Sequence, residues 1–190
     1  MESLAVQYLS LREKNKLNLE ELKYPIGRFH FEVPTQEQLD EWIDTIETLP
    51  EEIKKLVNSL SYEDLESQYR PDGWNIKQVV HHLADSHMNS FIRFKLTLTE
   101  DNPTLRPYNE GEWAKTDDAS SEDIADSLEL LTGLHKRWVT LLKSLQPEEM
   151  NRTFVHPEYS NQYNLKWLLC LYNWHCKHHL AHIKLAIDNR

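Results

Sequence analysis

Histidine is the residue type here most able to do chemistry, and ten histidines occur in 190 residues. Seven fall in two short stretches: His81, His82 and His87 in VVHHLADSH, and His175, His178, His179 and His182 in WHCKHHLAHI. Two imidazoles at i and i+4 of a helix project to one side, a turn apart, and both can reach one ion at ~2.0–2.1 Å. The second stretch offers two such pairs, His175/His179 and His178/His182, and spacing alone does not choose between them. A helical projection at ~100° per residue does. Leu165, Leu168, Tyr172, Ile183 and Ala186 share one sector, with Lys166, Lys177 and Lys184 opposite. His175 and His179 fall inside that sector, His182 on its edge and His178 outside it. His175 and His179 are therefore expected to face a core, where each polar ring needs a partner. On the first stretch the same projection favours His87 and puts His81 and His82 off the apolar centre.

One helical face cannot surround an ion, so a third ligand must come from a neighbouring helix. Each imidazole must be neutral to bind, so affinity is expected to fall as pH drops through ~6. A lone buried histidine is more often a hydrogen-bonded core residue. His30, His135 and His156, which lack a helical partner, are read as ordinary surface or core residues.

The elements that must position these rings read as four long helices. The first starts at Thr35, with Gln38 completing a capping box, and carries Leu39, Trp42, Ile43, Ile46 and Leu49. Pro50 either kinks it or opens a second segment. Residues 61–68 read as a short helical turn. Asn75 caps the next helix, over about 76–98. Ser120, with Asp123 three residues on, is expected to cap the third, and Asn164 the last. Residues 100–119 read as a long loop whose Glu110, Glu112 and Trp113 could cover a metal, because loops that long are usually functional. Residues 147–163 read as a second irregular connection, and no sheet of consequence is expected. The fold class is therefore all-α, a four-helix bundle. Residues 1–23 read as an N-terminal extension and 24–190 as one domain.

Composition excludes several functions. The formal net charge is −10, with 21 basic and 31 acidic residues, and no basic stripe that would bind nucleic acid is present. No run of 18 apolar residues could span a membrane. The two cysteines, Cys170 and Cys176, lie six apart on one helix and cannot pair within it. No secretory leader is visible, so a cytoplasmic location is expected.

GWNIKQVVHHLADSHMNSFIRFKL at 73–96 and WHCKHHLAHI at 174–183 resemble the two metal-ligand segments of the DinB/YfiT-like family. YPIG at 24–27, RPYNEGEW at 106–113 and LHKRW at 134–138 resemble the same branch. The resemblance implies a homodimeric four-helix bundle with one divalent ion per subunit, zinc ahead of nickel. It implies three ligands: His82, directly before LADS, with His175 and His179. Helical projection favours His87 over His82, but a bundle helix can be buried on more than one side, so the motif outweighs the projection. The implied activity is that of a metal-dependent hydrolase on a small molecule, with a coordination position left open for water or substrate. Two alternatives share the ion: a bacillithiol S-transferase acting on electrophiles, and a non-enzymatic dimeric bundle. No general base and no organic cofactor site is assigned. Asp85 could orient a ligand imidazole or pair at the surface, and Arg93 could hold a substrate carboxylate or do the same.

Overall fold

Leu39, Ile46, Leu49, Ile53 and Val57 recur at helical spacing and form the buried face of helix α1, Gln36–Val57. The computed structural model describes residues 19–156 and 161–189. Most of the expected extension at 1–23 lies outside the described residues; residues 19–23 are helical. Three further long helices follow: α2 (Ile76–Thr99), α3 (Ala125–Ser144) and α4 (Leu165–Asp188).

The expected start signals hold for three of the four. The Thr35 hydroxyl accepts from the Gln38 N–H at 3.3 Å, and the Gln38 side chain accepts from the Thr35 N–H at 2.9 Å. Asn75 and Gln78 repeat the arrangement on α2. Asn164 accepts from the Trp167 N–H at 2.9 Å on α4. The third expectation fails: Ser120 donates to the Thr116 carbonyl at 2.8 Å, and α3 begins at Ala125 with no side-chain cap. Serine serves turns as readily as helix caps, and here a turn takes it.

The long connections also hold more structure than expected. Residues 100–119 contain a helical turn, Glu110–Trp113, with Asn109 accepting from the Glu112 N–H. Residues 147–163 contain a 3₁₀ turn, Glu149–Asn151, and an antiparallel ribbon of β1 (Thr153–His156) and β2 (Asn161–Asn164). Phe154 and His156 alternate inward along β1, but four residues are too few for that period to stand out in the sequence. The ribbon is tied to the first loop: the Val155 N–H donates to the Pro103 carbonyl and the Leu105 N–H to the Val155 carbonyl, both at 2.9 Å.

Helices α1 and α2 both pack against α3 and against α4, so α1 lies diagonally across from α2 and α3 across from α4. This order sets α2 beside α4, face to face along their histidines, and puts α3 between α1 and α2. No described helix is long and apolar enough to cross a membrane. Cys170 and Cys176 are free, buried thiols.

Trp138 of α3 anchors the centre. It is fully buried, with its ring 5.6 Å from Phe94, 5.5 Å from Tyr172 and 5.9 Å from His87. Trp138→Ala is expected to cost about 3–5 kcal/mol, the usual loss for a large aromatic removed from a core. Urea denaturation checks this; a loss under about 1 kcal/mol would mean that the residue is not a packing anchor.

Candidate metal centre

His82 of α2 faces His175 and His179, one turn apart on α4. The Nε2 atoms of His82 and His175 are 3.2 Å apart, and one nitrogen from each of the three rings lies within 4.8 Å of the others. Trp74 packs on the His82 ring at 4.7 Å and lies near-parallel to His179 at 6.4 Å. Helical projection puts His82 off the apolar centre because it allows α2 one buried face. It has several: His81, His82 and His87 are all buried. His81 is engaged on another side, its Nδ1 2.8 Å from the Ser127 hydroxyl and its Nε2 3.2 Å from the Ser121 carbonyl.

The remaining histidines sort by contact. His87 is completely buried. Its Nδ1 lies 2.8 Å from His135 Nε2, and its Nε2 lies 3.1 Å from His175 Nδ1. His135 Nδ1 in turn meets the Ile46 carbonyl at 2.5 Å. The sequence marks His135 as an ordinary surface or core residue; its place on the apolar stripe with Leu131, Trp138 and Leu142 is the signal for its burial. His182 stacks on Tyr69 at 3.8 Å, donates from Nε2 to the Lys23 carbonyl at 3.2 Å, and sets its Nδ1 3.4 Å from His179 Nδ1. His178, expected outside the apolar face, is buried because the chain leading into the bundle covers that side. Tyr24 lies at 5.9 Å from its ring, and Trp174, whose indole N–H donates to the Gly27 carbonyl, at 4.3 Å. His178, His179 and His182 also bring nitrogens within 4.8 Å of one another. His30 is exposed beside Glu32.

Burial dominates the electrostatics. It pushes the His82 imidazole down to about 4 and holds His175 and His179 well below the ordinary range, with neighbouring histidines adding to the effect. All three are therefore neutral at pH 7, the state in which imidazole is a ligand. The donor set fits a divalent ion. Ligand nitrogens at ~2.0–2.1 Å in a tetrahedral site stand about 3.3 Å apart, close to the His82–His175 separation. Three imidazoles suit zinc or nickel. Asp85 does not serve the ligands: burial and then Asp118 raise its carboxyl, His81 lowers it, and no hydrogen bond joins it to His82 among the described residues.

His82, His175 and His179 line a cavity of about 340 Å³. Trp74, Trp167, Trp174, Tyr108 and Tyr172 supply aromatic walls, and Ser86, Arg93, Glu110 and His156 supply polar groups. The loop at 100–119 thus contributes Pro107, Tyr108 and Glu110 to the wall. Glu112 instead pairs with Lys115, and Trp113 packs on Tyr108. Ser86 Oγ lies 3.4 Å from His175 Nε2, and the Tyr172 hydroxyl donates to the Ser86 carbonyl at 3.1 Å. Burial raises the Tyr108 hydroxyl, which stays a neutral donor. Arg93 donates to the Arg106 carbonyl at 3.2 Å and has no carboxylate partner among the described residues.

Comparison with known proteins gives the chain a family and a fold. The family model described as the DinB superfamily matches residues 37–183. A Bacillus cereus strain B4264 protein, provisionally named a metal-dependent hydrolase, is 49% identical over 166 residues, which is 87% of this chain and 95% of that one. A Bacillus thuringiensis subsp. konkukian protein under the same provisional name gives the same identity and coverage. The solved structure of YfiT from Bacillus subtilis, described as a probable metal-dependent hydrolase with an unusual four-helix bundle topology, superposes with a TM-score of 0.85 at 44% identity. It covers 88% of this chain and 97% of its own.

Proposed function

This chain belongs to the DinB superfamily, and on that premise we propose that it is a metal-dependent hydrolase of a small molecule, with His82, His175 and His179 holding one divalent ion. The observation that carries the reading is the convergence of three neutral imidazoles on one wall of an aromatic-lined cavity. When bound there, a zinc or nickel ion supplies Lewis acidity and a nucleophile available at neutral pH.

The chain's own residues do the rest. The three ligands approach from α2 and α4, which leaves the cavity side for water and substrate. Trp74, Trp167 and Trp174 hold the apolar part of the substrate and keep bulk water out. The Tyr108 and Ser86 hydroxyls are donors for negative charge that develops at a substrate oxygen. Arg93, with no carboxylate of its own, takes an anionic group on the substrate.

Turnover of a panel of esters, amides and thiol-reactive electrophiles, with and without bacillithiol, tests the reaction class. Hydrolysis that needs the metal and ignores the thiol is expected. Turnover only with the thiol would move the assignment to S-transfer, and no turnover in either condition would favour a non-enzymatic bundle. For a substrate bearing an anion, Arg93→Met is expected to raise KM by about 10-fold or more, the scale of one charge-assisted hydrogen bond, with a smaller change in kcat. An unchanged KM would remove Arg93 from recognition. A homodimer is also proposed, supported by half-exposed Ile92 on α2 and Leu130 on α3; sedimentation at micromolar concentration should give twice the chain mass, and a monomer mass would end it.

A further inference from the structure

Resting on the reading of His175 as a ligand, we propose that His87 and His135 are positioning residues that fix the tautomer of His175, so that its Nε2 lone pair faces His82. The line of hydrogen bonds crosses all four long helices. A carbonyl can only accept, so the 2.5 Å contact between His135 Nδ1 and the Ile46 carbonyl puts a proton on that nitrogen. A neutral imidazole then carries its lone pair on Nε2. His87 Nδ1, 2.8 Å away, must be the donor to it. His87 Nε2 is left as an acceptor, and His175 Nδ1 donates to it at 3.1 Å. The remaining nitrogen of His175 is Nε2, the atom 3.2 Å from His82 Nε2. Each step has one solution once the terminal carbonyl is given.

The sequence of α1 provides that carbonyl. In a helix the Ile46 carbonyl would accept the N–H of residue 50. Residue 50 is Pro50, inside α1, and has no N–H. The proline leaves a buried carbonyl without its helical donor, and His135 supplies one. Metal-bound histidines usually fix their tautomer by donating to a carboxylate, a carbonyl or water. A carboxylate placed here would lie beside Trp138 and Tyr172 at the cost of burying a charge. Two neutral imidazoles reach the same end without one. The Lys23 carbonyl, His182 and His179 repeat the form in a shorter line that leaves His179 Nε2 with its lone pair.

Ring-nitrogen NMR of the wild-type protein, metal-free and zinc-loaded, reads the tautomers directly. His87 and His135 are expected to be protonated at Nδ1 only, in both states; protonation of His87 at Nε2 would overturn the proposal. Zinc affinity measured by chelator competition reads the consequence. His135→Phe keeps the bulk but removes the acceptor, and should weaken zinc binding about 10- to 100-fold. His135→Gln offers a side-chain carbonyl to His87 and should stay within about threefold of wild type. Wild-type affinity in the Phe variant would overturn the proposal, as would a Gln variant as weak as the Phe variant, which is the pattern of lost packing alone. Should His135→Phe fail to fold, the wild-type spectrum decides. Should the wild type bind no zinc, the metal reading fails, and the metal-free spectrum still decides the line itself.

Discussion

Alanine at His82, His175 or His179 is expected to weaken zinc binding by at least about 100-fold, more than the loss of an outer hydrogen-bond partner costs. Removing His82 leaves two rings from one face of α4, and removing either of the others leaves one ring on each helix. Neither remnant surrounds an ion. His81→Ala and His178→Ala are the controls and should keep close to one zinc per chain after dialysis. His81 is spent on Ser127 and the Ser121 carbonyl, and the His178 ring stacks on Trp174 at 4.3 Å with Tyr24 at 5.9 Å. His182 has the same chemistry and nearly the same place, but it is no clean control, because its Nδ1 meets His179 at 3.4 Å. Metal analysis of the purified variants gives the result. Loss of the ion in His178→Ala with retention in His175→Ala would transfer the site to the neighbouring trio of His178, His179 and His182.

The metal-free protein is expected to lose stability steeply as pH falls from about 6.5 to about 4. His135 is 1% exposed, and burial pushes its imidazole from 6.5 down to about 4 against the opposing pull of the Ile46 carbonyl. The unfolded chain therefore takes up a proton near pH 6.5, whereas the folded chain does not until about pH 4. Stability rises with pH across that window, is complete above it and is lost on the way down. For His135 alone the loss approaches about 3 kcal/mol, a large share of the ~5–15 kcal/mol that holds a typical domain together. Urea denaturation of chelator-treated protein from pH 7.5 to 4.5 measures it. Equal stability across the range would contradict burial of neutral histidines, and His135→Gln should flatten part of the slope.

The bundle could be read from the sequence because its signals are local. Apolar residues at helical spacing gave four helices, and Thr35, Asn75 and Asn164 gave three of their starts. Ser120 misled because its hydroxyl serves a turn as well as a cap, and the four-residue strands of the ribbon were too short to show their alternation. Within the site, the i, i+4 pair was visible on α4. His82 needed the motif, since a projection assumes one buried face and α2 has several. The role of His135 was out of reach for a different reason. Its partners, Ile46 and His87, come from α1 and α2, and they meet only because these helices lie on a diagonal with α3 between them. In the sequence Pro50 reads as a kink or a start; the unpaired carbonyl it leaves acquires meaning once α3 is beside it.

The measurement closest to the central claim is anomalous diffraction from crystals of the zinc-loaded protein, recorded on both sides of the zinc edge. One peak per chain is predicted, within bonding distance of one nitrogen each from His82, His175 and His179, with a face open to the cavity beneath Trp74 and Tyr108. A peak held by His178 and His182, or zinc-loaded crystals with no peak among these histidines, would contradict it.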